Sequence, residues 1–202
     1  MDKNGGTDIE KRKVQGRPTN GELRSREHLT PKEAEALIDA AGKSGRYRHR
    51  DRTLLLMMYT HGLRPGEATT LCRSQLDLDQ GLLHVTRLKR GLSSTHPLRG
   101  PEIRALRKLL RQLPESRFVF VSERGAPLTV SALQKIVRRA GEKAGFDFPV
   151  HPHQLRHACG YKLANDGQDT RAIQLYLGHR NITHTVRYTE LAPDRFNGFW
   201  KD

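Results

Sequence analysis

Cysteine is almost missing from this sequence: Cys72 and Cys159 are the only two in 202 residues. Two thiols exclude a disulfide-stapled scaffold and fit a reducing, cytoplasmic setting. Long apolar runs are missing too. The longest, Leu54 to Tyr59, falls far short of the roughly 20 residues that cross a bilayer, which excludes a helical membrane span. The first residues hold no apolar stretch of the kind a secretory signal needs. Hydrophobic residues make up only 35% of the chain and aromatics 6%. Acidic residues are scarce as well, 22 against 36 Lys plus Arg, for a formal charge of +14. A field of that sign on one small domain points to a polyanionic partner, most simply nucleic acid.

What is present divides the chain in two. Residues 1–27 hold Gly, Asn, Lys and Arg with almost no aliphatics, a composition that reads as a solvated, disordered basic arm. Lys11, Arg12 and Lys13 are its densest positive cluster and are candidates for backbone contacts with DNA. Residues 28–202 read as one folded domain. Its first helix is announced by Thr30-Pro31-Lys32-Glu33, a capping residue with Pro at the first turn and Glu three positions on. A second helix is predicted from about Arg48 to His61, stopped by Gly62, and Pro65-Gly66-Glu67 opens a short third ending near Leu71. Alternation over Leu76–Asp79, Leu83–Leu88 and Ser93–Leu98 predicts a three-stranded antiparallel meander. Helices are predicted again over Glu102–Leu113, Ser131–Ala144, His153–Asn165 and Thr170–Leu177, with Phe118–Val121 as a short extended piece. The fold class is mainly α with a small antiparallel β-sheet.

Four separated segments carry chemistry. They are Gly62-Leu63-Arg64-Pro65-Gly66-Glu67, the meander tip with Lys89 and Arg90, His151-Pro152-His153-Gln154-Leu155-Arg156-His157, and Leu177-Gly178-His179-Arg180 with Tyr188 nine residues after His179. Arginine forks match the non-bridging oxygens of a phosphodiester and stabilise the charge that develops on them. Lys or His can protonate a leaving alkoxide, and Tyr can act as a covalent nucleophile. The histidines near Cys159 invite a zinc reading, but no second Cys or His pair stands at ligand spacing, so no metal is expected.

The order and spacing of these segments resemble the signature of the tyrosine recombinases. The likeness runs over about residues 28–200. It implies that Arg64, Lys89, His153, Arg156 and His179 surround a scissile phosphate and that Tyr188 attacks it. By the same resemblance Glu67 helps hold the Arg64 segment, and Lys89 is the general acid. His157 reads as a buried support for the arginines. Arg90 and Arg180 are expected on the DNA. The stretches Arg87–Leu98 and Leu177–Tyr188 are similar, more narrowly, to the recombinases that invert a fimbrial promoter switch. The implied reaction is strand exchange on double-stranded DNA through a 3′-phosphotyrosyl bond, without ATP, metal or other cofactor, in a tetrameric synapse. Most of the family carry a separate core-binding domain ahead of the catalytic one, and residues 1–27 are too short to supply it. Tyr161 and Tyr176 read as packing residues. Tyr188 follows a polar stretch that reads as a mobile segment, and His84, His96 and His184 read as structural or DNA-facing. Two other classes stay open: a catalytically silent DNA-binding regulator, and a type IB topoisomerase-like relaxing enzyme.

Overall fold

A computed structural model describes residues 27–88, 91–112 and 115–190. The arm residues Lys11, Arg12 and Lys13, the hairpin pair Lys89 and Arg90, and the C-terminal tail lie outside the described residues.

Among the described residues eight α-helices and three strands follow one another as α1 (Pro31–Ala41), α2 (Arg48–His61), α3 (Pro65–Thr69), β1 (Leu76–Asp77), β2 (Leu82–Val85), β3 (Ser94–Pro97), α4 (Gly100–Gln112), α5 (Val130–Ala144), α6 (Pro152–Asn165), α7 (Thr170–Leu177) and α8 (Thr183–Glu190). The expected class, helices around a small antiparallel sheet, is what the chain adopts. Thr30 forms the anticipated capping box: Glu33 N–H donates to Thr30 Oγ1 at 3.3 Å, and Thr30 N–H donates to Glu33 Oε2 at 2.8 Å. Pro31, Pro65 and Pro152 each stand in a first helical turn, where the missing N–H costs nothing.

The core is centred on α2. Leu54, Leu55, Met57 and Met58 are all fully buried, against Ala34, Leu37 and Ile38 of α1, Leu133 and Val137 of α5 and Leu155 of α6. A second, smaller cluster holds Cys159, Tyr161 and Ala164 of α6, Ile173 and Leu177 of α7, and Tyr188 of α8. The sheet runs in the order β1-β2-β3, both pairs antiparallel, with Leu83 opposite His96 and Val85 opposite Ser94.

Two expectations need correcting. The strands are shorter than the alternation suggests, because β1 is only two residues long and β2 stops at Val85. Arg87 then leaves the ladder and turns its side chain into the protein. The polar stretch before Tyr188 leads into a helix that was not expected, α8, which begins at Thr183 and carries Tyr188. Asn181 Oδ1 starts it by accepting from Thr183 N–H at 3.0 Å. The buried positions of α8, Thr185, Tyr188 and Thr189, fall at helical spacing. Their hydroxyl-bearing side chains hid that periodicity from an apolar reading.

Candidate active site

Gly62 begins the site. It ends α2 in the left-handed region at φ 56°, a conformation that costs glycine nothing, and so turns the chain sharply into Leu63-Arg64. Arg64 is the N-cap of α3. Glu67 accepts its backbone N–H at 2.9 Å and its guanidinium at 2.7 Å. The same carboxylate reaches across to the hairpin, accepting from Arg87 Nη1 at 2.9 Å and from Leu88 N–H at 3.2 Å. Glu67 therefore ties the Arg64 turn to the two residues that precede Lys89. Burial alone would raise its carboxyl, yet the Arg64 amide and the two guanidiniums more than offset this and leave it below the ordinary range.

Arg156 is buried in α6 and works as a staple. Its Nη1 donates to Gly62 C=O and its Nη2 to Leu177 C=O at 2.6 Å, so one side chain spans the turns before Arg64 and His179. Arg87 is equally buried and donates to His61 C=O, Gly62 C=O and Tyr176 C=O besides Glu67. Arg64 and Arg87 thus share the single carboxylate of Glu67, while Arg156 meets Arg87 at the Gly62 carbonyl with no carboxylate of its own. Burial, then the other two guanidiniums, push Arg156 down to about 9. A buried excess of positive charge is a standing site for an anion.

Two openings flank Arg64. On one side a cleft of about 650 Å³ is lined by Arg64, Gly91, Arg171, His179, Arg180 and His184. On the other a 300 Å³ groove is lined by Arg64, Leu88, Val130, Gln134, His151 and His153. His153 is exposed at the mouth of the second. His179 is buried, its Nδ1 held by Thr185 Oγ1 at 2.8 Å. Tyr188 is 1% exposed, and its hydroxyl lies 2.9 Å from His157 Nδ1. His157 was expected beside the arginines; the hydrogen-bond partner of its Nδ1 is the tyrosine hydroxyl. Gly160 allows this approach, since a Cβ there would stand 2.6 Å from the Tyr188 ring. The structure thus gathers Arg64, Glu67, Arg156, His157, His179 and Tyr188 around one centre, with His153 and Arg180 on its two rims. Among the described residues no group of three or more His, Cys, Asp or Glu is placed to hold a metal ion.

Residues 27–195 match the model of the phage integrase family. The chain belongs to that family. It is 43% identical to the type 1 fimbriae regulatory protein FimE of Escherichia coli strain K12 over 187 residues, 89% of this chain and 93% of that protein. It is also 43% identical to FimB of the same strain, over 88% of this chain and 90% of the relative. Tyrosine recombinase XerD of Bifidobacterium longum shares 34% identity over 82% of this chain, but the match covers only 58% of XerD. Among solved structures, XerA recombinase superposes with a TM-score of 0.73 at 28% identity, covering 84% of this chain and 62% of that one. XerH bound to its difH substrate gives 0.72 at 26%, covering 84% and 51%.

In this tyrosine recombinase the residue that sequence reasoning passed over is Arg87. It opens the Arg87–Leu98 stretch, and its one local signal is its place two residues before Lys89. Acid should expose how the site is built. Burial, the first cause in each case, lowers His157 to about 4, and His96 and His179 to about 3. Unfolding restores an ordinary value near 6.5, so between that pH and the folded values the unfolded chain binds more protons. Stability from these groups is complete above about pH 6.5 and is lost as pH falls. Glu67 and Glu102, both lowered, act the same way but below the ordinary carboxylate range, while Asp51, raised by burial, works in the opposite direction. The expected result is a melting temperature that already declines between pH 6.5 and 4.5. A flat profile across that window would show that the three histidines are not held neutral.

Proposed function

We propose that this chain is a site-specific DNA recombinase that cuts and rejoins duplex DNA through Tyr188, inverting a segment that controls fimbrial expression. The observation that carries the reading is the pairing of two guanidiniums, Arg64 and Arg87, with the one carboxylate of Glu67, beside a third buried guanidinium, Arg156, that bonds only to backbone carbonyls, and a buried tyrosine hydroxyl. A phosphodiester supplies the missing negative charge. In the proposed reaction the Tyr188 oxygen forms a bond to phosphorus and passes its proton toward His157, which burial keeps neutral. Arg64, Arg156, His153 and His179 stabilise the charge on the non-bridging oxygens. The bond to the 5′ oxygen breaks as Lys89 protonates it. A 5′-hydroxyl from the partner strand then reverses the step.

Because Tyr188 is withdrawn from solvent, α8 must shift before the hydroxyl can meet a phosphate bound at Arg64. Exchange joins two duplexes and four active sites, so assembly into a tetramer on DNA belongs to the same proposal. The basic arm and Arg90, with Arg180 on the cleft rim, are its candidate backbone contacts.

The fimbrial part rests on the likeness to FimE and FimB along nearly their whole length. The test is a supercoiled plasmid with two copies of the site in inverted orientation, beside one with the copies in direct orientation. Inversion of the first plasmid is expected. Relaxation of both plasmids without rearrangement would replace recombination by topoisomerase activity, and retardation without any cleavage would leave a silent DNA-binding regulator.

A further inference from the structure

Behind the arginine cluster lies a second buried polar assembly. His61 ends α2, His96 sits in β3 and Glu102 lies in the first turn of α4, at 0%, 1% and 2% exposure. His61 Nε2 pairs with Glu102 Oε1 at 2.9 Å, off the axis of an ideal hydrogen bond, and Glu102 Oε2 accepts from Arg99 N–H at 2.9 Å. His61 Nδ1 and His96 Nδ1 stand 3.1 Å apart, at hydrogen-bond distance, while His96 Nε2 meets Ser94 Oγ at 2.8 Å. Tyr176 of α7 covers the pair. Its ring stacks on His96 at 3.9 Å, and its hydroxyl donates to Thr60 C=O at 2.9 Å.

Buried polar groups on four different elements are costly unless all are paired, and once paired they fix those elements relative to one another. Three of these elements adjoin the candidate active site in the sequence. His61 is followed by Gly62-Leu63-Arg64, Tyr176 by Leu177-Gly178-His179, and β3 follows the hairpin connection that holds Lys89 in the sequence. Arg87 closes the assembly from above by donating to the carbonyls of both His61 and Tyr176. None of these groups lines either opening beside Arg64.

We propose that the Glu102–His61–His96–Ser94 chain is a positioning device that sets the β2–β3 hairpin, and with it Lys89, against the scissile phosphate. This inference rests on Lys89 being the general acid. His61, His96 and Glu102 are positioning residues, acting through the strand and not on the DNA. A chain that seats the general acid matters in one step only, protonation of the departing 5′ oxygen as the phosphorus–oxygen bond breaks. A sulfur in place of that oxygen leaves as a thiolate without needing a proton, because thiols are far more acidic than alcohols (about 8.5 for cysteine). Damage confined to this step therefore disappears on a 5′-bridging phosphorothiolate.

The experiment measures covalent adduct formation by the full chain on a nicked duplex carrying its own cleavage site, mapped first with the unaltered protein. The duplex is made with oxygen or with sulfur at the bridging position. Replacing the general acid itself costs on the order of 10²- to 10⁴-fold, and a misplaced one less, so His96→Leu should slow the oxygen substrate by about tenfold or more. It should match the unaltered protein on sulfur within a few-fold, as should the Lys89→Ala control. His96→Gln, whose amide can bridge the same neighbours, should recover much of the oxygen rate. Ser94→Ala removes one partly exposed hydroxyl and tests the chain even if His96→Leu does not fold. It should give a smaller defect that sulfur also erases. Equal slowing of His96→Leu or Ser94→Ala on both substrates, with Lys89→Ala rescued, would overturn the positioning role alone. Full activity of Ser94→Ala and His96→Leu on oxygen would do the same. Lys89→Ala slow on both substrates would overturn the general-acid assignment and this inference with it.

Discussion

A Tyr188→Phe protein is expected to form no covalent adduct on a nicked duplex while binding that duplex nearly as well as the unaltered chain. The substitution removes one oxygen. The ring's burial, its edge contact with Tyr161 at 5.0 Å and its seat against Gly160 remain. The hydrogen bond to His157 is lost, a change of about 0.5–1.5 kcal/mol that the fold can absorb. No neighbour can replace the lost nucleophile. Tyr176 has its hydroxyl committed to Thr60 C=O, and burial raises it further from ionisation. Tyr161 is stacked on His28 and raised by burial as well. Burial lifts Tyr188 itself to about 12, so free phenolate is scarce at neutral pH and its proton must leave as the bond to phosphorus forms. In the proposed reaction His157, whose Nδ1 is 2.9 Å away, takes it. Denaturing electrophoresis of end-labelled duplex reads the result directly. An adduct from Tyr188→Phe would move the nucleophile to another residue.

The parts of this site that were legible in the sequence share a property: each is a short segment punctuated by glycine or proline. Gly62 and Pro65 bracket Arg64, Pro152 opens the helix of Arg156, and Gly178 precedes His179, so local chemistry announced the turns that present these side chains. The parts that were not legible depend on long-range closure. Arg87 bonds to groups 20, 25, 26 and 89 positions away, and nothing in its own neighbourhood marks an arginine as buried. His61 and His96 are 35 positions apart. Glu102 drew no notice in the sequence beyond opening a helix, yet it is buried with one oxygen on the Arg99 amide and the other 2.9 Å from His61 Nε2. Helix α8 was missed for a compositional reason, since its buried face carries threonine and tyrosine where a periodicity argument looks for aliphatics. Patterning finds faces that water rejects. It does not find polar groups whose partners arrive only with the fold.

Arg156→Lys is the second substitution with a large expected effect, and counting donors explains why. A guanidinium offers five N–H groups in one plane. In Arg156 one from each Nη is spent on a backbone carbonyl, Gly62 on one side and Leu177 on the other, which leaves three for a phosphate. A lysine ammonium has three donors around one nitrogen. It cannot reach both carbonyls and still present a planar pair to the non-bridging oxygens. At least one buried carbonyl then loses its partner, at about 1–3 kcal/mol, and the two turns carrying Arg64 and His179 lose their common tie. The site keeps its formal charge, so retention of the duplex at moderate salt should change little. Charge stabilisation in the transition state should not survive. Adduct formation is expected to drop roughly 10²- to 10³-fold, the usual cost of losing one well-placed oxyanion donor, with a lowered melting temperature beside it. The measurement pairs single-turnover cleavage with a binding isotherm on the same duplex. Weak binding with normal cleavage of the bound fraction would assign Arg156 to holding DNA. Near-normal cleavage and binding together would show that its fork is not needed for catalysis.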